Sequence, residues 1–232
     1  MGFDHVTLLV FPLGLLLPLV TLVFMVIMNG KKRKVSFDTF FYGIGSFLGS
    51  MVAVFISFII LQSVLSSALS VEDYTDGFTL VSIIFSALIA VLCLFCESLK
   101  MVTIKHFSTD DKKSFLPSLG FSAGVITAQS GVFFVALNIF EDTSAMFALF
   151  TGAFIMITGV VYYVLSYAAE VSLLSGSKGA AYGVSAFYYL MWIGAVLAIR
   201  STTLVAVVVV AFFIISLIFG YVFIKRNGSK VK

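Results

Sequence analysis

The chain reads as an all-α polytopic membrane protein, a single integral domain of residues 1–232 built as a transmembrane helix bundle of seven spans. Three observations predict this. Hydrophobic residues fill 61% of the 232 positions, charged residues only 11%, and the mean hydropathy is +1.16, so a water-soluble surface of ordinary polarity cannot be assembled. Seven stretches approach the roughly 20 apolar residues that carry a helix across a hydrocarbon core of about 30 Å. Thirteen of the fourteen Lys and Arg residues fall on one side of that pattern, which sets the N-terminus outside and the C-terminus in the cytoplasm.

Span one covers 6–28, with Pro12 and Pro18 inside it. Each removes a backbone donor and kinks the helix, which a membrane bundle tolerates when neighbours satisfy the freed carbonyls. Asp4 and His5 stand where a signal peptide carries basic residues, so the span is expected to be retained. Span two, 39–66, carries Gly45 and Gly49. Span three, 78–99, holds Cys93, Cys96 and Glu97. Span four, 117–139, has a row of small residues at Gly120, Gly124, Thr127 and Gly131 and a central Gln129. Span five, 145–170, places Tyr163, Ser166, Tyr167 and Glu170 in a polar stripe. Span six, 180–199, is preceded by Gly179 and carries Tyr182, Gly183, Ser185, Tyr189 and Trp192. Span seven, 202–224, has Ser216 as the polar residue of its Val205 to Ile218 stretch and is expected to face lipid. The small residues predict close helix contacts within one bundle, with a homodimer face as the alternative.

Positive charge alternates between connectors. Lys31, Lys32, Arg33 and Lys34 follow span one, Lys100, Lys105, Lys112 and Lys113 flank the third connector, Lys178 sits in the fifth, and Lys225, Arg226, Lys230 and Lys232 form the tail. The opposite connectors carry Glu72, Asp73, Asp76, Glu141 and Asp142, with Arg200 as the basic exception. This distribution predicts a multi-pass protein of the cytoplasmic membrane whose basic loops lie against anionic headgroups. The lipid bilayer is a sufficient partner for the net charge of +3, and no nucleic acid is implied. The oligomeric state is not encoded in any feature of the chain.

Charged residues inside spans are expensive and are functional candidates by default, which singles out Glu97 and Glu170. Lys100, three residues after Glu97, shares its helix face and is placed to pair with it. With about 1.5 Å of rise per residue, Glu97 is expected close to the cytoplasmic boundary of its span. Gln129 sits at a depth where an unpaired amide is costly, so a hydrogen-bond partner on another helix or a bound molecule is expected. Tyr163, Tyr167, Glu170, Tyr182, Tyr189 and Trp192 are candidate ligand-binding residues, because buried Tyr and Trp seek polar partners. Cys93 and Cys96 share a face, but His5 and His106 lie at or beyond the membrane edges. No metal site or cofactor is therefore expected, and the thiols are read as small apolar fillers. The chain has no phosphate-binding glycine loop, nucleophile elbow or His-Glu-x-x-His motif.

The basic linker Lys31 to Lys34, continuing through Val35, Ser36, Phe37 and Asp38 into a glycine-rich span two, is followed by Cys96, Glu97, Ser98, Leu99 and Lys100. Lys112 to Phe115 then leads into Leu119, Gly120, Phe121, Ser122, Ala123 and Gly124. This order resembles the YhfC branch of the bacterial glutamic-type intramembrane proteases, relatives of the CAAX-processing and PrsW-like enzymes. In that family a Glu-Glu-x-x-Arg motif, followed by His or Glu and then His with Asn or Asp on later helices, activates a water against a peptide bond. The resemblance places Glu97 at the second glutamate and Lys100 at the arginine, as catalytic candidates. Cys96 stands at the first glutamate, span four offers Ala123, Thr127 and Gln129 where His and Glu are sought, and span six has Tyr and Ser but no His.

A water-activating site needs a base together with groups that hold the water and stabilise the oxyanion. The expectation is accordingly a pseudoenzyme: a protease-like bundle that binds a membrane-protein or peptide partner without cutting it, with Glu97, Lys100, Gln129 and Glu170 around a cavity open to the cytoplasm. Two alternatives stand beside it: an active intramembrane protease using Glu97, and a small-solute transporter or membrane substrate-binding subunit using the polar stripes of spans five and six.

Overall fold

The computed structural model describes residues 5–30, 37–65, 80–107, 116–139, 145–197 and 202–228. These form seven α-helices: α1 (His5–Gly30), α2 (Asp38–Leu65), α3 (Leu80–Phe107), α4 (Leu116–Ile139), α5 (Ala145–Leu174), α6 (Lys178–Leu197) and α7 (Thr202–Gly228). No strand occurs among the described residues. Asp38–Ser57, Gly152–Leu174 and Val207–Arg226 are long and apolar enough to cross a membrane, and Leu15–Ile27 is a shorter apolar stretch. The loop charges at 31–34, 72–76, 112–113, 141–142 and 200, with Lys230 and Lys232, lie outside the described residues.

The helices outrun the apolar stretches that predict them. Span three is expected to end at 99, yet α3 continues to Phe107, and span five is expected to end at 170, yet α5 reaches Leu174. Intrahelical hydrogen bonding does not stop where apolar residues do. The turn that follows α5 is made by Gly176, whose φ of +88° lets the chain reverse. Ser177 N–H then bonds the Ser172 carbonyl at 2.9 Å and Gly176 N–H bonds that of Leu173 at 3.0 Å, the pairing that satisfies the last carbonyls of a helix.

α4 is the central post. It lies between α1 and α2 and also packs on α5, while α6 and α7 pack on α5 and on each other and α3 packs between α2 and α6. Its closest neighbour is α2. A Cβ on Gly124 would land on the carbonyl oxygen of Phe40 and lie 3.0 Å from Gly43 Cα, and a Cβ on Gly43 would land on the carbonyl oxygen of Phe121. Gly120 meets the Thr39 hydroxyl in the same way. This confirms the α4 row at Gly120 and Gly124 as a packing face, and it corrects the other small residues. Among the described residues, nothing outside the local helix backbone lies within 4 Å of the position a Cβ would take at Gly45, Gly49, Gly131, Gly179 or Gly183, so the α2 contact is made by Gly43 instead. α7 exposes Val207, Ile214, Ile218 and Tyr221 among others, as expected for an outer helix, while its Ser216 is buried.

The core gathers Phe121, Val125 and Ile126 of α4, Ile155, Tyr162 and Leu165 of α5, and Val184, Tyr188 and Met191 of α6 around Cys96 of α3. The buried ionisable residues sit beside this core.

Candidate functional site

Lys100 and Glu97 are 0% and 1% exposed. α3 runs seven residues past Lys100, so the pair lies about 10 Å inside the helix end. Both residues therefore lie within α3, which carries the chain about two turns beyond the apolar stretch expected to end at 99. The pair survives burial because each member finds compensation. The Lys100 ammonium pairs with Glu97 Oε2, donates to Ser166 Oγ at 3.2 Å and lies 4.8 Å from the centre of the Tyr162 ring. Tyr162 in turn donates its hydroxyl to Glu97 Oε1 at 3.2 Å. Oε1 of Glu97 thus accepts a hydrogen bond, and Oε2 faces the ammonium in an ion pair without a hydrogen bond of its own among the described residues.

The network extends across two further helices. The Tyr162 and Tyr188 rings lie 4.7 Å apart, and Tyr188 donates its hydroxyl to Gln129 Oε1 at 3.0 Å. Tyr189 is buried and meets Tyr188 edge-on at 5.2 Å, and the buried Cys96 lies in the same core cluster. Two hydrogen-bonded groups, Lys100–Glu97–Tyr162 and Tyr188–Gln129, are thus joined by the contact of the two tyrosine rings and connect α3, α5, α6 and α4. Gln129 is 2% exposed, and its amide nitrogen, like the Ser185 hydroxyl, has no hydrogen-bond partner among the described residues.

Glu170 is also buried, one turn beyond Ser166 on the face of α5 that carries Tyr162. Its Oε2 accepts the backbone N–H of Ser118 at 3.2 Å, near the start of α4, where the first N–H groups lack intrahelical partners and the helix dipole favours an anion. This gives Glu170 an architectural task, pinning the start of α4 to the end of α5. Glu170→Ala is expected to destabilise the protein by about 1–3 kcal/mol and Glu170→Gln by clearly less, since the amide keeps an acceptor. Thermal unfolding of the purified variants in detergent checks the ordering.

Of the tyrosines expected to line a site, Tyr189 alone joins the network. Tyr163 turns toward α1, where its hydroxyl lies 3.0 Å from that of Thr21. Tyr167 is half-buried near Glu170, and Tyr182 is 37% exposed. Trp192 lies on α6, but its side chain is outside the described residues, as is that of Cys93. The residues not foreseen are Tyr162 and Tyr188, which carry the links between Glu97 and Gln129. Spacing held the signal: Tyr162, Ser166 and Glu170 recur every four residues, one face of a helix.

Comparison with known proteins finds no matching family model, no matching curated protein and no matching solved structure.

Proposed function

We propose that this chain is a seven-span protein of the cytoplasmic membrane, N-terminus outside and C-terminus cytoplasmic, that shares its bundle with the glutamic-type intramembrane proteases and binds a membrane-protein or peptide partner without hydrolysing it. The topology is supported by the alternation of basic and acidic connectors. The observation that carries the non-hydrolytic reading is the engagement of both Glu97 oxygens, one by Lys100 and one by Tyr162. A general base must reach the proton of an attacking water, and this carboxylate is occupied on both sides by the protein itself. Binding is supported at the other end of the network. An unpaired buried donor such as the Gln129 amide nitrogen costs about 1–3 kcal/mol, and a carbonyl from a bound chain removes that penalty.

Quantitative membrane proteomics tests this on cells carrying the wild-type protein, a deletion, the double variant Glu97→Gln with Lys100→Met, or Gln129→Leu, at matched expression. The double variant removes the carboxylate without leaving an unpaired charge. The expected result is that it restores the wild-type protein profile, whereas Gln129→Leu resembles the deletion. The same uncut precursor accumulating in the deletion and the double variant would establish hydrolysis and overturn the reading. Full rescue by Gln129→Leu would leave the network a purely structural role.

A further inference from the structure

A groove of about 480 Å³ runs between α2 and α3, with Phe41, Tyr42 and Gly45 on one wall and Leu99, Val102 and Thr103 on the other. Gly45 gives it depth, because nothing lies within 4 Å of the position a Cβ would take there. Phe41, Tyr42 and Val102 are exposed by 55–65%, so the walls are apolar and uncovered. The groove reaches Asp38, the first residue of α2, so it opens at the end of the bundle where α3 finishes. Tyr42 meets Phe107 at 5.9 Å and Phe107 meets His106 at 4.8 Å, which brings the last turn of α3, with exposed Lys105 and His106, to the mouth.

We propose that this groove binds one anionic phospholipid, an acyl chain lying along Gly45 and Leu99 and the phosphate held beside Lys105 and His106. Charge argues for this occupant. Among the described residues at the mouth Lys105 stands against Asp38, and the sequence adds Lys31, Lys32, Arg33 and Lys34 in the four positions that end four residues before α2 begins. Basic residues at a membrane surface attract anionic headgroups by about 1 kcal/mol each, and an amphipathic ring such as that of Tyr42 suits the interfacial level. The inference rests on the membrane placement of the bundle but not on the reading of Glu97 or Gln129.

Native mass spectrometry of the detergent-purified protein, titrated separately with dioleoyl phosphatidylglycerol and dioleoyl phosphatidylcholine, tests it. The first phosphatidylglycerol is expected to bind roughly tenfold more tightly than phosphatidylcholine, as one or two basic contacts predict. Gly45→Phe, which fills the floor, and Val102→Trp, which narrows the opposite wall, should each abolish that tight site with an unchanged unfolding midpoint. Lys105→Gln with His106→Gln should bring phosphatidylglycerol to the phosphatidylcholine level. Equal binding of the two lipids by the wild type, or undiminished tight binding in whichever groove variant folds, would overturn the proposal. So would a dimer mass that Gly45→Phe converts to monomer without any change in lipid binding, since the groove would then belong to a second copy.

Discussion

Lys100→Met is expected to destabilise the protein by about 3–5 kcal/mol, the range for breaking a buried ion pair by removing one partner. Glu97→Gln should fall in the same range. The lysine side chain is wholly buried and its ammonium is distributed over Glu97, Ser166 and the face of Tyr162, so removing Glu97 strands a charge with one neutral oxygen and a ring. Removing Lys100 strands a carboxylate with one tyrosine hydroxyl. The double variant should lose far less than the sum, because exchanging both partners for neutral groups of similar size is often nearly neutral. A double-mutant cycle on unfolding in bicelles, which isolates the pairwise energy, is expected to give a large coupling. Additive losses would mean that the two side chains do not meet in the folded protein.

Gly124→Val is the second large effect. Its Cβ would meet the Phe40 carbonyl, the Ile44 N–H and Gly43 Cα, all backbone atoms, and backbone cannot rotate aside as a side chain does. α2 and α4 must move apart, and overpacking of this kind costs about 1–3 kcal/mol or more. Gly43→Val is expected to do the same from the opposite helix, where the obstacles are the Phe121 carbonyl and the Val125 N–H. Gly45→Ala, two residues along α2, meets nothing and should leave the unfolding midpoint unchanged or slightly raised, since alanine is the better helix former. A common midpoint for all three variants would contradict the α2 and α4 packing described above.

The seven apolar runs and their helical character were legible in composition and spacing, because continuous apolar runs of about 20 residues are helix-length rather than strand-length. Helix ends were less so. Span three was expected to stop before Lys100, since charged residues usually mark a boundary, but a lysine that carries its own counter-ion one turn away lets α3 continue to Phe107. Gln129, Glu97 and Lys100 stood out by their polarity within apolar runs and do join one network. Tyr162 and Tyr188 did not stand out in a chain with nine tyrosines. Neighbouring positions on a helix differ by about 100°, so a stripe started at Tyr163 rather than Tyr162 points to α1 and Thr21 instead of to Glu97. The glycines misled in the opposite sense: Gly45 and Gly49, four apart, look like a contact face, whereas the close approach occurs at Gly43, which no spacing rule distinguishes.

The most direct test of the central claim, that Glu97 is closed off by its own protein, is modification by the apolar reagent dicyclohexylcarbodiimide in intact membranes, mapped by peptide mass spectrometry. Glu97 of the wild-type protein is expected to stay unmodified, while Tyr162→Phe with Lys100→Met, which frees both oxygens, becomes labelled. Labelling of wild-type Glu97 to the same extent would contradict it, showing a carboxyl group reachable from outside the network and open to the hydrolytic role set aside here.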